Sequence, residues 1–581
     1  MPDDTPTWRS YAPAVLAWGF VSAVVLARLP RQPLANYGNN GAEWIEHADR
    51  LALGHALRAW FSEPYSLFEL LRVLDGSFPP LLHLVSLPVP GGSVQSIVWT
   101  GVLWAGLLSA AVGVVASRLA DRRTGVWAAA ATALLPAVHG SAARYYYDLP
   151  LTALCWVATA ALVCTWDRPL KSAWRWPAAL AFAACLTKWT AVPFLGVLLI
   201  AAWMTLRSRP RLTVLATTLL VWALLCVTYL GVLGEDNSLA FMAAESGVVH
   251  SETDAAGNEV EGVGPVRAAL RRIVDAEEPL WMRVVYYGAG WTLSTMSPLL
   301  AGALVLLLGV AAVRRTKGAL FAGLVAAGHL GFLLLFVQPI DDRFLVTLTP
   351  ALVIGAVTGL LALPRLAVPV GVALASIAAL VAVDFHHGTE SALTRPFSAQ
   401  PLLMGRRPIL QPPQGRGIGA ASSTLWLGWS RSDETTPVRQ GLRDAVWERL
   451  QACEPMQIAV VDEQPIIAPE GDASWLEYRA SLSVQTRDEA PPLNVLGWDA
   501  DMSMDGSPLR DRGVTCRDPA EEGTGPLDPD AIVLAAAEPD GSALPPLCPQ
   551  DVSWRLEALV ADPDGGPGVG FWSVGGRGCQ R

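Results

Sequence analysis

Residues 39–56, NNGAEWIEHADRLALGHA, carry several ionisable side chains at helical spacing. One face of the predicted helix, at i, i+3, i+4 and i+7, holds Glu43, Glu46, His47 and Arg50. A carboxylate held on such a face can accept a proton from an attacking hydroxyl or amine. Glu43 is the first candidate for this general base, and Glu46 is the second.

These carboxylates also have a purely structural interpretation. Asn40 followed by Glu43 is the pattern of a helix N-cap with a glutamate at N3, so Glu43 can serve only to cap the helix. Glu46 can form an i, i+4 ion pair with Arg50. If neither glutamate is the base, Asp49 is the next carboxylate to test.

Three further stretches bring charged and aromatic side chains to the ends of apolar runs: HGSAARYYYDLP (139–150), TKWTAVP (187–193) and QPIDDRFLVTLTP (338–350). The basic residues that could hold a departing phosphate are Arg144, Lys188 and Arg343. We expect Asp148 to act in catalysis, by positioning an attacking group or by holding a cation. We expect Tyr146 and Asp342 to contact the substrate.

Local pairing is a second interpretation of these residues. Arg144 can simply pair with Asp148, and Arg343 with the two aspartates before it. Lys188 can extend its ammonium group to the lipid headgroups. The tyrosines at 145–147 fit an aromatic belt at a membrane interface as well as a substrate platform.

The composition indicates a membrane protein. The 581 residues are 52% hydrophobic and only 16% charged, whereas soluble domains carry about 25% charged residues. The first two-thirds of the chain is apolar and the last third is polar, which predicts a polytopic membrane domain followed by a soluble domain. A net charge of −10 without basic clusters argues against a nucleic-acid partner.

The apolar runs predict about eleven membrane-spanning helices. The candidate spans are 13–29, 95–119, 125–138, 149–165, 176–186, 190–206, 212–233, 290–313, 319–337, 344–363 and 367–383. The short loops between alternate spans are rich in Lys and Arg, so they should face the cytoplasm. This arrangement predicts a cytoplasmic N-terminus, an extracytoplasmic C-terminal domain, and a first span that is kept as an anchor.

The polar tail should fold as a small mixed α/β domain. We predict a membrane domain at 1–385, with outer loops at 30–94 and 234–289, and an extracytoplasmic domain at 386–581. In the tail, WERLQAC is predicted to be helical, and IAVVD, AIVLAAAEP and VGFWSVGG are predicted strands. The tail cysteines could form up to two disulfides: Cys453, Cys516, Cys548 and Cys579. The four cysteines in apolar runs should be small buried side chains.

The order of these features resembles a known family. An acidic helix in a long first outer loop is followed by FPPLLHL, RYYYDLPLTAL, LTKWTAVPF and DDRFLVTLTPAL. Over residues 10–385 this order is similar to the polytopic GT-C glycosyltransferases, near the protein mannosyltransferases and aminoarabinose transferases. The family's usual Asp-Glu pair in the first loop would fall near Asn40-Gly41, where this chain has no acid. Glu43 is the nearest carboxylate.

The resemblance implies an all-α membrane domain that transfers a sugar on the outer face of the cytoplasmic membrane. The donor would be a polyprenyl-phosphate sugar, the acceptor a glycan, lipid or protein, and the transfer would invert the anomeric carbon. We predict no cofactor, because the sequence has no metal motif, although carboxylates could still bind a divalent ion. The same architecture would also suit a transporter or flippase of lipid-linked sugars, a different lipid-phosphate transferase, or an inactive scaffold of the same fold.

Overall fold

The computed structural model describes the chain in separate stretches. They are residues 50, 53–54, 56–58, 60–62, 64, 66–75, 79–88, 94–135, 138, 141–142, 147–206, 209–233, 252–253, 259–260, 280–289, 291–292, 296, 298–336, 342–387, 442, 445–446, 448–450, 457–461, 494–498, 532–537, 554–561 and 568–574. The chain divides into two compact units, one of residues 1–33 and 53–432 and the other of residues 34–52 and 433–581. The predicted domain boundary at 385 stays a prediction.

The first unit is helical. Its helices are α1 (Leu67–Leu74), α2 (Leu81–Ser86), α3 (Val94–Leu119), α4 (Arg122–Ala133), α5 (Asp148–Thr165), α6 (Leu170–Ala173), α7 (Arg175–Cys185), α8 (Ala191–Thr205), α9 (Arg209–Leu233), α10 (Leu280–Ala289), α11 (Pro298–Val313), α12 (Lys317–Phe336), α13 (Thr349–Leu361) and α14 (Ala367–His387). A 3₁₀ helix (Asp342–Val346) precedes α13, and two short strands pair antiparallel, β1 (Glu252–Thr253) and β2 (Glu259–Val260).

Five of the described helical segments are long and apolar enough to cross a membrane. They are Thr100–Leu119, Asp148–Thr165, Arg211–Leu233, Lys317–Phe336 and Phe344–Leu361. Shorter apolar helices lie at Ala191–Thr205, Leu299–Val313 and Ala367–Ala378. The chain is therefore a multi-pass membrane protein. Ten of the eleven predicted spans overlap described helices, and the first predicted span, 13–29, lies outside the described residues. The total of eleven spans stays a prediction.

Helix α5 lies at the centre of the helical unit. Its side chains are buried along most of its length, and it contacts α3, α7 and α8. Apolar side chains lie on every face of α5. Such a helix is suited to being surrounded by other helices rather than by water. Trp156, fully buried, packs edge to face against Phe321 of α12 at 6.0 Å between ring centroids. The helix thus holds the residues at its two ends in fixed positions.

A close helix contact fixes α13, which follows the 3₁₀ helix. A side chain at Gly359 would place its Cβ 2.0 Å from the carbonyl oxygen of Leu307 in α11. Only glycine lets the two backbones approach this closely, as small residues commonly do between membrane helices. The position of α13 relative to α11 is therefore set by direct backbone contact.

The second unit contains a five-stranded mixed sheet. Its strands are β3 (Gln457–Val461), β4 (Asn494–Trp498), β5 (Ile532–Ala537), β6 (Trp554–Val560) and β7 (Gly568–Val574), in the order β4-β3-β5-β7-β6. The pairs β3–β4 and β3–β5 are parallel, whereas β7 pairs antiparallel with β5 and β6. The predicted strands in IAVVD, AIVLAAAEP and VGFWSVGG are present, and residues 448–450 of the predicted helix are helical. The four tail cysteines lie outside the described residues.

Candidate functional site

Asp148 and Lys188 form an ion pair where α5 begins. Asp148 is the first residue of α5, and Lys188 lies in the break between α7 and α8. The Lys188 Nζ is 3.7 Å from the Asp148 Oδ1, and the two residues are only 5% and 4% exposed. Buried charges in a membrane protein are rare and commonly mark a functional site. We call this region, where α5 begins, the Asp148 end of the helical unit.

The break that carries Lys188 is an ordered turn. The backbone N–H groups of Thr187 and Lys188 both donate to the carbonyl of Ala184, at 3.1 and 3.2 Å. The Lys188 carbonyl then accepts from the N–H of Ala191, the first residue of α8, at 2.9 Å. These bonds satisfy backbone groups at the ends of both helices. Lys188 is therefore held by its own backbone as well as by its ion pair.

The 3₁₀ helix contributes an aromatic ring to the same place. The Lys188 ammonium lies 5.8 Å from the centroid of the Phe344 ring, within the range of a cation–π interaction. The Phe344 carbonyl oxygen is 3.1 Å from His329 Nε2 in α12. Phe344 is thus fixed by its backbone while its ring contacts the cation.

The residue that follows the 3₁₀ helix ties it to α5. Thr347 and Thr152 share a hydrogen bond of 2.9 Å between hydroxyls, and the Trp156 indole N–H donates to the Thr347 carbonyl at 3.3 Å. The Thr152 hydroxyl donates its one proton to the Asp148 carbonyl at 2.7 Å, so Thr347 is the donor of the hydroxyl pair. This chain of bonds connects the 3₁₀ helix to the first turn of α5.

Helix α2 connects to both halves of the ion pair. The Leu81 N–H donates to the carbonyl of Leu186, two residues before Lys188, at 2.9 Å. His83 Nε2 and the Tyr147 hydroxyl share a hydrogen bond of 2.8 Å, and Tyr147 is the residue before Asp148. No sequence pattern indicated this pairing, because His83 stands alone in an apolar run and Tyr147 fitted an aromatic belt.

Helix α1 is fixed to the end of α9. The Tyr229 hydroxyl donates to the Asp75 carboxylate at 3.1 Å, and the Arg72 Nε donates to the Val232 carbonyl at 2.9 Å. The Tyr229 ring lies 6.3 Å from that of Trp189, the neighbour of Lys188. Asp75 is a buried carboxylate that was not among the predicted site residues. Its place directly after the stretch SLFELLRVL, in which leucines recur at helical spacing, was the signal that the sequence offered.

The structure brings two of the predicted site residues together, Asp148 and Lys188. An extension of Lys188 to the lipid headgroups does not fit its burial against Asp148 and Phe344. The remaining predicted site residues stay predictions: Glu43, Glu46, Arg144 and Tyr146 lie outside the described residues, as do the side chains of Asp342 and Arg343. Within the described part of the chain, no three His, Cys, Asp or Glu side chains group as metal ligands do.

Apolar side chains line a partly open cavity elsewhere in the helical unit. Its volume is about 130 Å³, and it lies between α4, α11, α13 and α14. Its lining includes Trp127, Leu304, Val357 and Leu374, without a charged side chain. Such a cavity can accept an alkyl or isoprenoid chain but offers nothing to hold a charged group.

No family model matches the sequence, and no curated protein matches it. Solved structures similar to this chain include ArnT from Cupriavidus metallidurans, in the apo state and bound to undecaprenyl phosphate. Each is 16% identical, with 96% of this chain and 97% of that chain covered and a TM-score of 0.48. The oligosaccharyltransferase of Archaeoglobus fulgidus in the apo form is 12% identical, over 81% of this chain and 64% of that chain, with a TM-score of 0.41. Both proteins are of the group that the sequence resembles, but TM-scores below 0.5 are too low to establish a shared fold.

Proposed function

We propose that the protein is a membrane glycosyltransferase that moves a sugar from a polyprenyl-phosphate donor to an acceptor. The observation that carries this proposal is the buried Asp148–Lys188 ion pair, which is held by three separate parts of the chain. A buried ion pair seldom adds stability over apolar side chains of similar size, so its presence suggests a role in function. A lysine ammonium is suited to holding a phosphate.

The proposed reaction is a single displacement at the anomeric carbon. The acceptor oxygen or nitrogen attacks that carbon, and the bond between the carbon and the phosphate oxygen breaks. The electron pair leaves with the lipid phosphate, and a carboxylate takes the proton of the acceptor. Attack from the face opposite the phosphate inverts the anomeric carbon.

Each candidate residue has a role in this scheme. Lys188 binds the donor phosphate and stabilises the charge that grows on it as the bond breaks. Asp148 holds the Lys188 ammonium in place and contacts the acceptor. Glu43 is the proposed base, with Glu46 as the second choice. The remaining proposed substrate contacts are Arg144, Arg343, Tyr146 and Asp342.

The polyprenyl chain of the donor needs an apolar binding site, separate from the charged site that holds the phosphate. The cavity between α4, α11, α13 and α14 is a candidate for part of the polyprenyl chain, because its lining is apolar. Helix α13, which lines it, begins at Thr349, three residues after the 3₁₀ helix whose Phe344 contacts Lys188. This connection supports a donor with an anionic head and a long apolar tail.

The proposed location is the cytoplasmic membrane, with the Asp148 end on the outer face. The support is the distribution of basic residues at the opposite ends of the helices. Arg168 and Lys171 follow the far end of α5, and Arg314 and Arg315 follow α11. Basic loops of this kind stay in the cytoplasm. The N-terminus would then be cytoplasmic, and the second unit extracytoplasmic.

The test is turnover of a panel of polyprenyl-phosphate sugars by the full chain in nanodiscs. Wild type should consume at least one donor, whereas Lys188→Gln and Glu43→Gln should lose most of the turnover. Arg211→Gln, which removes a half-buried cation of α9 near the far end of α5, is the matched control and should stay active. Movement of intact donor across a vesicle membrane without turnover would instead support a transporter, and no donor consumption at all would contradict the proposal.

A further inference from the structure

Helix α2 touches the chain on both sides of the Asp148–Lys188 ion pair. Its first residue, Leu81, binds the backbone two residues before Lys188, and His83 binds Tyr147, the residue before Asp148. Both bonds have ordinary hydrogen-bond lengths, 2.9 and 2.8 Å. A shift of α2 would therefore change the distance between the carboxylate and the ammonium.

The bond between His83 and Tyr147 is well placed to resist such a shift. His83 is 3% exposed and Tyr147 is fully buried, so water cannot replace either partner. Separating two buried polar groups leaves each without its hydrogen bond, which is costly in a low-dielectric interior. The two rings also meet edge to face at 5.8 Å, a favourable aromatic arrangement.

The distance between Lys188 and Asp148 is longer than that of a direct hydrogen bond between an ammonium and a carboxylate. A direct hydrogen bond between an ammonium and a carboxylate is about 2.7–2.9 Å long, whereas Lys188 Nζ and Asp148 Oδ1 are 3.7 Å apart. At the longer distance the carboxylate neutralises less of the lysine charge, because Coulomb attraction falls with separation. A second anion near Lys188 is then held more strongly than it would be beside a closed pair.

We infer that His83 and Tyr147 form a positioning pair, which holds Asp148 and Lys188 at their separation of 3.7 Å and so maintains the affinity of Lys188 for a lipid phosphate. This inference rests on the proposed function, since it names what sets donor affinity at the same site. His83 and Tyr147 act through their neighbours and do not touch the reacting atoms.

The test measures binding of undecaprenyl phosphate, without a sugar, to the full chain in nanodiscs. Tyr147→Phe and His83→Phe each remove the hydrogen bond and keep an aromatic ring. Each should raise the Kd about tenfold, the equivalent of 1.4 kcal/mol. His83→Gln places an amide near the position of Nε2, so it can restore the bond to Tyr147 and should bring the Kd back to within about threefold of wild type.

A matched control removes a buried hydroxyl from the other end of α5. The Thr165 hydroxyl lies 2.7 Å from the carbonyl oxygens of both Ala161 and Ala173 and donates its one proton to one of them, so Thr165→Val should lower the Tm while leaving the Kd unchanged. A purely structural role for His83 and Tyr147 makes the same prediction for them. If Tyr147→Phe and His83→Phe lower the Tm but bind undecaprenyl phosphate as wild type does, the positioning role is overturned while the proposed function stands. If wild type itself does not bind this lipid, the proposed function and this inference fall together.

Discussion

The two ends of α5 each carry an aspartate paired with a cation, and the two pairs differ in burial and in distance. At the beginning, Asp148 and Lys188 are buried and 3.7 Å apart. Beyond the other end, Asp167 and Arg211 are closer, at 3.2 Å, yet their side chains are 63% and 27% exposed. The shorter pair is the weaker candidate for function, because water and salt screen it.

Both cations also contact other parts of the chain. Around Lys188, the chain supplies an ordered turn, the Phe344 ring and helix α2. Arg211 lies 5.2 Å from the Trp166 ring, which follows α5, and donates to the Leu206 carbonyl, which follows α8. Burial, rather than a short distance, therefore distinguishes the candidate site from an ordinary surface ion pair.

Removing the aspartate from each pair should give the largest difference. Asp148→Ala leaves the Lys188 ammonium buried without its carboxylate, so the free energy of unfolding should fall by about 3–5 kcal/mol. Asp167→Ala at the exposed pair should cost about 0–1 kcal/mol. Unfolding of the purified variants in the same detergent measures both. An equal loss of unfolding free energy in the two variants would show that burial does not make one ion pair more important for stability than the other.

A smaller effect is expected from removing the hydrogen bond between Trp156 of α5 and Thr347, the residue after the 3₁₀ helix. Trp156→Phe removes the indole donor to the Thr347 carbonyl and should cost about 1 kcal/mol of stability. It should also weaken lipid-phosphate binding, because the 3₁₀ helix carries the ring that contacts Lys188. Trp203→Phe is the control, since among the described residues the Trp203 indole N–H has no hydrogen-bond partner. If both variants bind undecaprenyl phosphate equally well, the hydrogen bond between Trp156 and Thr347 has no part in lipid-phosphate binding.

The smallest expected effect is the difference in how the coupling energies of the two ion pairs depend on salt. A double-mutant cycle on Asp167 and Arg211 should give a coupling energy of about 0.2–1 kcal/mol that falls toward zero in about 1 M salt. The coupling between Asp148 and Lys188 should change little, because ions cannot approach buried charges closely. Repeating each cycle at low and high ionic strength measures the difference. A salt-sensitive Asp148–Lys188 coupling would mean that this pair is open to solvent.

The helices were predictable from the sequence because their signal is local. Long apolar runs identified α5 to within one residue at its start, and the basic loops between helices follow the predicted order. The break at TKWTAVP was also predicted, and the structure places Lys188 inside it. The apolar run predicted as a single span at 344–363 instead begins as a 3₁₀ helix, because hydropathy does not report the hydrogen-bond pattern of the backbone.

The contacts within the site were harder to predict because they join distant parts of the chain. A pair between Asp148 and Arg144, four residues before it, was one interpretation of the local spacing, and it stays a prediction because Arg144 lies outside the described residues. The structure gives Asp148 a partner forty residues later, in Lys188. His83 and Tyr147 are 64 positions apart, and neither has a neighbour that suggests the other.

The most direct test replaces the buried pair with apolar side chains of similar size, Asp148→Leu together with Lys188→Met. If the pair exists for function, this double variant should unfold at a Tm equal to or above that of wild type, because apolar replacements often stabilise such sites. It should at the same time lose binding and turnover of the lipid-linked donor. A double variant that is stable and still binds and consumes the donor as wild type does would contradict the account, because the ion pair would then have no part in the reaction.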